Sequence, residues 1–157
     1  MHIRVARPSD VQDLVRLWTE FMDFHSGLGN GLIRAAGAQE RWAKYMGGLI
    51  ADADWQVLVA ECDGALTGYI VTTVATYPPI FTVERYGFVQ EIAVDSRFRR
   101  RGIAKRLYGE AEAWLRARGA PQIQVKVDVG NEASRRFWEN EGFIPHVETM
   151  MKPCEGD

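Results

Sequence analysis

A chain of 157 residues, 46% apolar and 25% charged, has enough hydrophobic material for one ordinary globular core. Its net charge of −2 argues against a nucleic-acid partner, because no global basic field is present. No apolar run approaches a membrane span, and the opening residues lack the apolar stretch of a signal peptide, so no membrane partner is expected.

Cys62 and Cys154 are few, far apart and without metal-ligand spacing. They fit reduced thiols and a cytoplasmic location better than a disulfide, and no metal site is expected.

Residues 2–7 alternate apolar and polar side chains and read as a first strand, ended by Pro8. Ser9 or Asp10 can cap a helix whose stripe (Val11, Leu14, Val15, Leu17, Trp18, Phe21, Met22) runs to about Phe24. Residues 26–31 are a glycine-rich loop, and a second helix is expected over 38–50. Residues 55–61 and 66–75 are strands joined at Cys62-Asp63-Gly64, a hairpin signal, and Tyr77-Pro78-Pro79 breaks the second of them.

Residues 88–118 organise the rest. A strand over 88–94 leads through a basic turn into a helix that opens near Gly102 and stops at Gly119 and Pro121. Ile103, Leu107, Ala111, Trp114 and Leu115 draw its apolar stripe. A strand over 122–129, a short helix over 132–140 and a last strand over 144–151 complete the chain. The order β–α–α–β–β–β–α–β–α–β implies a mixed sheet with helices on both faces, in the α/β or α+β class, within one domain spanning 1–157.

The turn before the long helix has a physical task. The first N–H groups of a helix lack intrahelical partners, and the helix dipole makes that end partly positive. Gly102 and Ala104 let a ligand approach the backbone, and Arg99, Arg100, Arg101 and Lys105 add charge. Together they suit a phosphate or pyrophosphate; a solvated basic turn capping an ordinary βα unit is the plainer alternative. No Gly-Lys-Ser/Thr follows, which argues against a nucleotide-phosphate loop.

Arg99, Gly102 and Ala104, in the spacing Arg-x-x-Gly-x-Ala at the start of a helix, resemble the acyl-CoA motif of the GNAT superfamily of N-acyltransferases. A second match follows at Asn131-Glu132-Ala133-Ser134, then Phe137-Trp138, then Glu141-Gly142-Phe143. The resemblance is sharpest over 84–145. It implies a GNAT-like, mostly antiparallel sheet in which the strands at 88–94 and 123–129 are parallel neighbours that splay apart around the pantetheine arm.

The resemblance also implies the reaction: a neutral amine attacks the thioester carbonyl of acetyl-CoA in a ternary complex, and CoA leaves as a thiol. Donor binding then falls to the backbone of Ile92, Ala93 and Val94 and to Arg99, Arg100, Arg101, Gly102, Ile103, Ala104 and Lys105. Asn131 is carried over as a contact to the pantetheine arm, although an N-cap for the following helix is the ordinary use of such a residue.

Glu91, inside an apolar strand, is a candidate general base, with Gln90 beside it; it could instead face solvent or pair with an arginine. Glu20, Asp23 and His25, at the end of the first helix, are the other candidates for contact with the acceptor or its proton, or are ordinary solvated surface. Trp138 stands where many members of the family carry a tyrosine that protonates the departing thiolate. An indole is no useful acid, so the resemblance departs here, and simple core packing accounts for Trp138 equally well. A non-catalytic acyl-CoA-binding module on the same fold is the rival reading. Dimerisation is common for such folds, and the sequence does not decide it.

Overall fold

The computed structural model describes residues 1–29 and 33–154. Part of the expected loop, residues 30 and 31, lies outside them. Two compact units emerge, one covering residues 1–126 and the other beginning at Val127.

The first unit holds β1 (His2–Val5), α1 (Val11–Gly27), α2 (Ala38–Ala51), β2 (Trp55–Cys62), β3 (Ala65–Thr76), β4 (Arg85–Val94), α3 (Ile103–Ala117) and β5 (Ile123–Val125). Single 3₁₀ turns precede α1 and follow β4. The strands form one sheet in the order β1-β2-β3-β4-β5, antiparallel except for the parallel β4–β5 pair. The class and the mixed sheet are therefore as the sequence implies.

The β2–β3 turn places Asp63 and Gly64 at φ +51° and +78°. Positive φ at both central residues is the backbone that matches strand twist in a two-residue hairpin, and Asp-Gly suits it.

Each face of the sheet buries its own helices. Val57, Val59, Tyr69 and Val71 pack with Leu14, Leu17, Trp18, Trp42 and Met46 of α1 and α2. On the other face lies α3, with Ile103, Leu107, Tyr108, Ala111 and Leu115 buried along its stripe. Each leucine or isoleucine so buried contributes about 1.5–3 kcal/mol relative to exposure.

Two glycines let α3 sit this close. A Cβ at Gly68 would lie 2.9 Å from the Ala93 carbonyl oxygen and 3.3 Å from Ile103 and Leu107. One at Gly87 would lie 2.9 Å from Leu115 Cδ1.

The second unit holds α4 (Glu132–Asn140), capped by Asn131, whose Oδ1 accepts from the Ser134 N–H at 3.0 Å. Trp138 is 3% exposed, with Phe137 and Phe143 edge-on at 4.9 and 5.0 Å between centroids.

Two strand expectations are corrected. The strand expected over 122–129 is only Ile123–Val125, and none forms over 144–151. Ile144, Val147, Met150 and Met151 stand exposed at spacings that do not alternate, and Pro145 lacks a donor. Without a facing apolar surface or a neighbouring ladder, nothing fixes that segment as a strand.

Candidate functional site

The site grows from an irregularity in β4. Against β3, Glu91 pairs with Val71, but Thr72 pairs with Val89, so Gln90 is an extra residue: a β-bulge. The bulge changes which way the strand's side chains point. Before it, Gly87 meets Leu115 of α3, and Val89 lies opposite Thr72. After it, Ala93 lies opposite Tyr69 and joins the core under α1 and α2. Without the extra residue, Glu91 would share the face of Gly87 and drive a carboxylate into the apolar stripe of α3. With it, Glu91 turns toward α1 and α2.

There its Oε1 accepts a hydrogen bond from the Tyr69 hydroxyl at 2.9 Å. Burial pushes the Glu91 carboxyl up to about 7, and the bond from Tyr69 pulls it partly back. A carboxyl poised near neutrality can take up and release a proton at working pH. Gln90 is held separately: its Nε2 donates to the Tyr45 hydroxyl of α2 at 2.8 Å, and that hydroxyl approaches Gln90 Oε1 at 3.1 Å.

Beyond the bulge β4 loses its parallel neighbour. The β4–β5 pairing ends at Val89↔Val125, while β3 continues to pair with β4 up to Val94. Among the described residues no strand pairs with the other edge of residues 90–94, where alternate backbone N–H and C=O groups face outward. Ile92, Ala93 and Val94 thus lie on an edge that an extended ligand can join as a strand would.

The open edge runs directly into the basic turn. Asp95 is 1% exposed and accepts from Arg16 of α1 at 2.9 Å and from Arg97 at 2.7 Å. These guanidinium bonds, Arg97 first, hold its carboxyl well below the ordinary range. Glu20 Oε1 accepts from the Ser96 N–H at 2.7 Å. The turn is therefore fastened to α1 before it reaches α3.

Arg100 and Gly102 both adopt left-handed backbone, at φ +61° and +73°. Among the described residues no side chain caps α3, whose first intrahelical bond is Arg106 N–H to Gly102 O at 3.1 Å. The N–H groups of Ile103, Ala104 and Lys105 precede that bond. A Cβ on Gly102 would meet nothing within 4 Å, so the conformation demands glycine there, and protein packing does not. Arg99, Arg100, Arg101 and Lys105 are exposed. Arg99 lies 5.6 Å from the Phe24 ring, and Arg101 5.1 Å from the Phe98 ring. Uncapped donors, a small residue in left-handed backbone and exposed cations fit a pyrophosphate, and the open edge fits the amide-bearing arm attached to one.

The other candidates are engaged elsewhere. Glu20 caps the 3₁₀ turn, and Asp23 pairs with Arg34. His25 Nδ1 donates to the Phe21 carbonyl at 2.9 Å, and its ring contacts those of Phe21 and Phe24. Asn131 and Trp138 lie in the second unit. Sequence reasoning missed Tyr69, Tyr45, Arg16 and Gly68. A tyrosine inside an apolar strand signals a partner for its hydroxyl, and Tyr69 carried that signal.

The acetyltransferase (GNAT) family model matches residues 15–143. The chain belongs to the GNAT family. A stretch of 92 residues is 36% identical to GCN5-related N-acetyltransferase 4, chloroplastic, of Arabidopsis thaliana. That match covers 53% of this chain and 32% of the relative, so the chain spans about a third of the relative's length. Among solved structures, a mutant of the BH1408 protein from Bacillus halodurans superposes with a TM-score of 0.85 at 20% identity, covering 99% of this chain and 100% of that one. Aminoglycoside N-acetyltransferase AAC(6')-Iy in complex with CoA gives 0.71 at 18% identity, covering 98% and 100%. These likenesses are of fold. Among the described residues no helix is long and apolar enough to cross a membrane, and no cluster could hold a metal ion.

Proposed function

We propose that this GNAT chain is an N-acetyltransferase that moves an acetyl group from acetyl-CoA to a primary amine of a small molecule or peptide in a ternary complex. The observation that carries the reading is the open edge of β4 at residues 90–94 leading into the uncapped N-terminus of α3. Acetyl-CoA supplies the thioester whose carbonyl carbon accepts the amine.

In this reading Gly102 to Lys105 donate backbone N–H groups to the pyrophosphate, and Arg99, Arg100 and Arg101 add charge. The edge of Ile92 to Val94 holds the pantetheine arm, and one of its N–H groups polarises the carbonyl. Glu91 takes the proton of the attacking amine, directly or through a water it orders. Asn131 keeps its cap on α4, and a part in acyl-CoA binding is what the order of the motifs in the sequence implies for it. Trp138 supplies no proton; CoA, whose thiol has a pKa of about 8.5, departs as the thiolate when the C–S bond breaks and takes its proton from water. The acceptor approaches from the α1/α2 side, where Gln90 stands beside Glu91. Residues 1–157 act as a single N-acetyltransferase domain, in a reducing, cytoplasmic setting.

The tryptophan at position 138 favours one rival, a non-catalytic acyl-CoA-binding module. Thiol release from acetyl-CoA with a panel of primary amines, aminoglycosides and peptides included, separates the two. Turnover with at least one amine is expected. Acetyl-CoA binding without turnover on any amine would replace the enzyme with the module.

A further inference from the structure

We propose that Tyr69 is the positioning residue for Glu91, its hydroxyl holding the carboxylate on the α1/α2 side of the sheet in the charged form that accepts the proton. The proposal rests on the reading of Glu91 as proton acceptor.

The geometry fixes both partners. Tyr69 is fully buried, and its ring lies 6.1 Å from Trp42, which stacks on Trp18 at 5.0 Å. Packing thus holds the hydroxyl where it meets Glu91 Oε1. Tyr69 stands opposite Ala93, so Glu91 is its diagonal neighbour across the two strands. The bulge is what puts the two side chains on one face.

The surrounding titratable and charged groups do not compete for Glu91. On α2, Tyr45 is bonded to Gln90, and Arg41 and Lys44 are exposed. On α1, Glu20, Asp23 and His25 bond to the Ser96 N–H, Arg34 and the Phe21 carbonyl. The influences acting on Glu91 are burial, which raises its proton affinity, and the Tyr69 bond, which lowers it. Burial and the neighbouring carboxylate push the Tyr69 phenol well above its ordinary value, so it keeps its own proton and acts as donor only. In the transfer step the amine proton passes to Glu91, directly or through the ordered water, and Tyr69 loses nothing.

The test follows the Glu91 carboxyl by carbon NMR in glutamate-labelled protein, with Glu91→Gln assigning the signal. Thiol release from acetyl-CoA with the amines of the panel is measured over the same pH range. Tyr69→Phe is expected to raise the Glu91 midpoint by about one pH unit. The acid limb of kcat should move with it, so that the rate falls about fivefold near pH 7 and is unchanged above about pH 9. Tyr45→Phe should leave the midpoint alone. Biosynthetic 3-fluorotyrosine, a stronger donor, should move it down, which keeps the test open if Tyr69→Phe folds poorly.

An unmoved midpoint in both Tyr69→Phe and the fluorotyrosine protein would overturn the proposal and leave Glu91 in its role. A moved midpoint with a fixed acid limb would overturn Glu91 as proton acceptor, and the catalytic part of the proposal with it.

Discussion

Arg16 on α1 donates to the Asp95 carboxylate at 2.9 Å, joining residues 79 positions apart. The same guanidinium donates to the Leu66 carbonyl at 2.8 Å, so one side chain ties α1, the start of β3 and the turn before α3 together. Asp95 also accepts from the Arg97 backbone N–H at 3.0 Å and from its side chain. A charge buried this deeply persists because its oxygens are satisfied on several sides.

Asp95→Asn should lower stability by about 1–3 kcal/mol, since the guanidinium bonds lose their charge assistance. It should also weaken acetyl-CoA binding without touching the ligand, because the basic turn loses its anchor. The pH dependence has a definite sign. The folded carboxyl titrates below its unfolded value, so its stabilisation is complete above about pH 4 and lost as the pH falls further. Denaturation between about pH 2 and 6 should show this loss in the wild type and a flatter profile in Asp95→Asn.

Two glycines predict opposite outcomes from the same substitution. Gly68→Ala brings a Cβ within 2.9 Å of the Ala93 carbonyl oxygen, a backbone atom, so β4 or α3 must shift. It should cost about 1–3 kcal/mol and weaken acetyl-CoA binding by displacing the N-terminus of α3. Gly109 sits within α3, and a Cβ there meets nothing within 4 Å. Gly109→Ala should stabilise the chain by about 0.5–1 kcal/mol and leave binding unchanged. Chemical denaturation and calorimetry read both.

The turn proposed to hold the pyrophosphate yields a third prediction. Gly102→Glu forces a carboxylate side chain into left-handed backbone at the uncapped helix end. It should abolish acetyl-CoA binding in a folded protein, and unchanged affinity by calorimetry would remove the site from this turn. Arg99→Ala and Arg100→Ala should weaken binding more at low than at high salt, because their contribution is largely charge.

The helices and the hairpin were legible because apolar spacing, the Asn131 cap and an Asp-Gly turn are local signals. Residues 132–140 were bounded correctly for that reason, with Asn131 as the visible cap. The turn that opens α3 was legible as Arg99, Gly102 and Ala104 before a helix, and its use for a phosphate is part of the proposal. The environment of Glu91 was not. It depends on an extra residue at Gln90 and on a β3–β4 register set across the loop at 77–84, and neither leaves a local mark. The strand expected at 144–151 failed for a related reason, since pairing needs a neighbour that apolar content alone does not supply.

Trp138 separates packing from chemistry. Trp138→Phe keeps an aromatic ring and removes the N–H, so it should cost about 0.5–1.5 kcal/mol and at most about tenfold in kcat. Trp138→Ala should lower stability by about 3–5 kcal/mol, because a ring 3% exposed leaves a cavity. Melting temperatures beside kcat distinguish the effects. A thousandfold loss in Trp138→Phe with an intact melting temperature would make the indole a chemical participant.

The central claim is that the bulge aims Glu91 at the amine beside an acetyl-CoA site. The most direct measurement is kcat and acetyl-CoA affinity of Glu91→Gln against wild type across the acid limb. The account predicts a loss in kcat of about a hundredfold or more, an acid limb near pH 7 in the wild type that disappears in the variant, and unchanged acetyl-CoA affinity. A near-normal kcat with the same acid limb would contradict it and pass the proton to His25 or to bulk water.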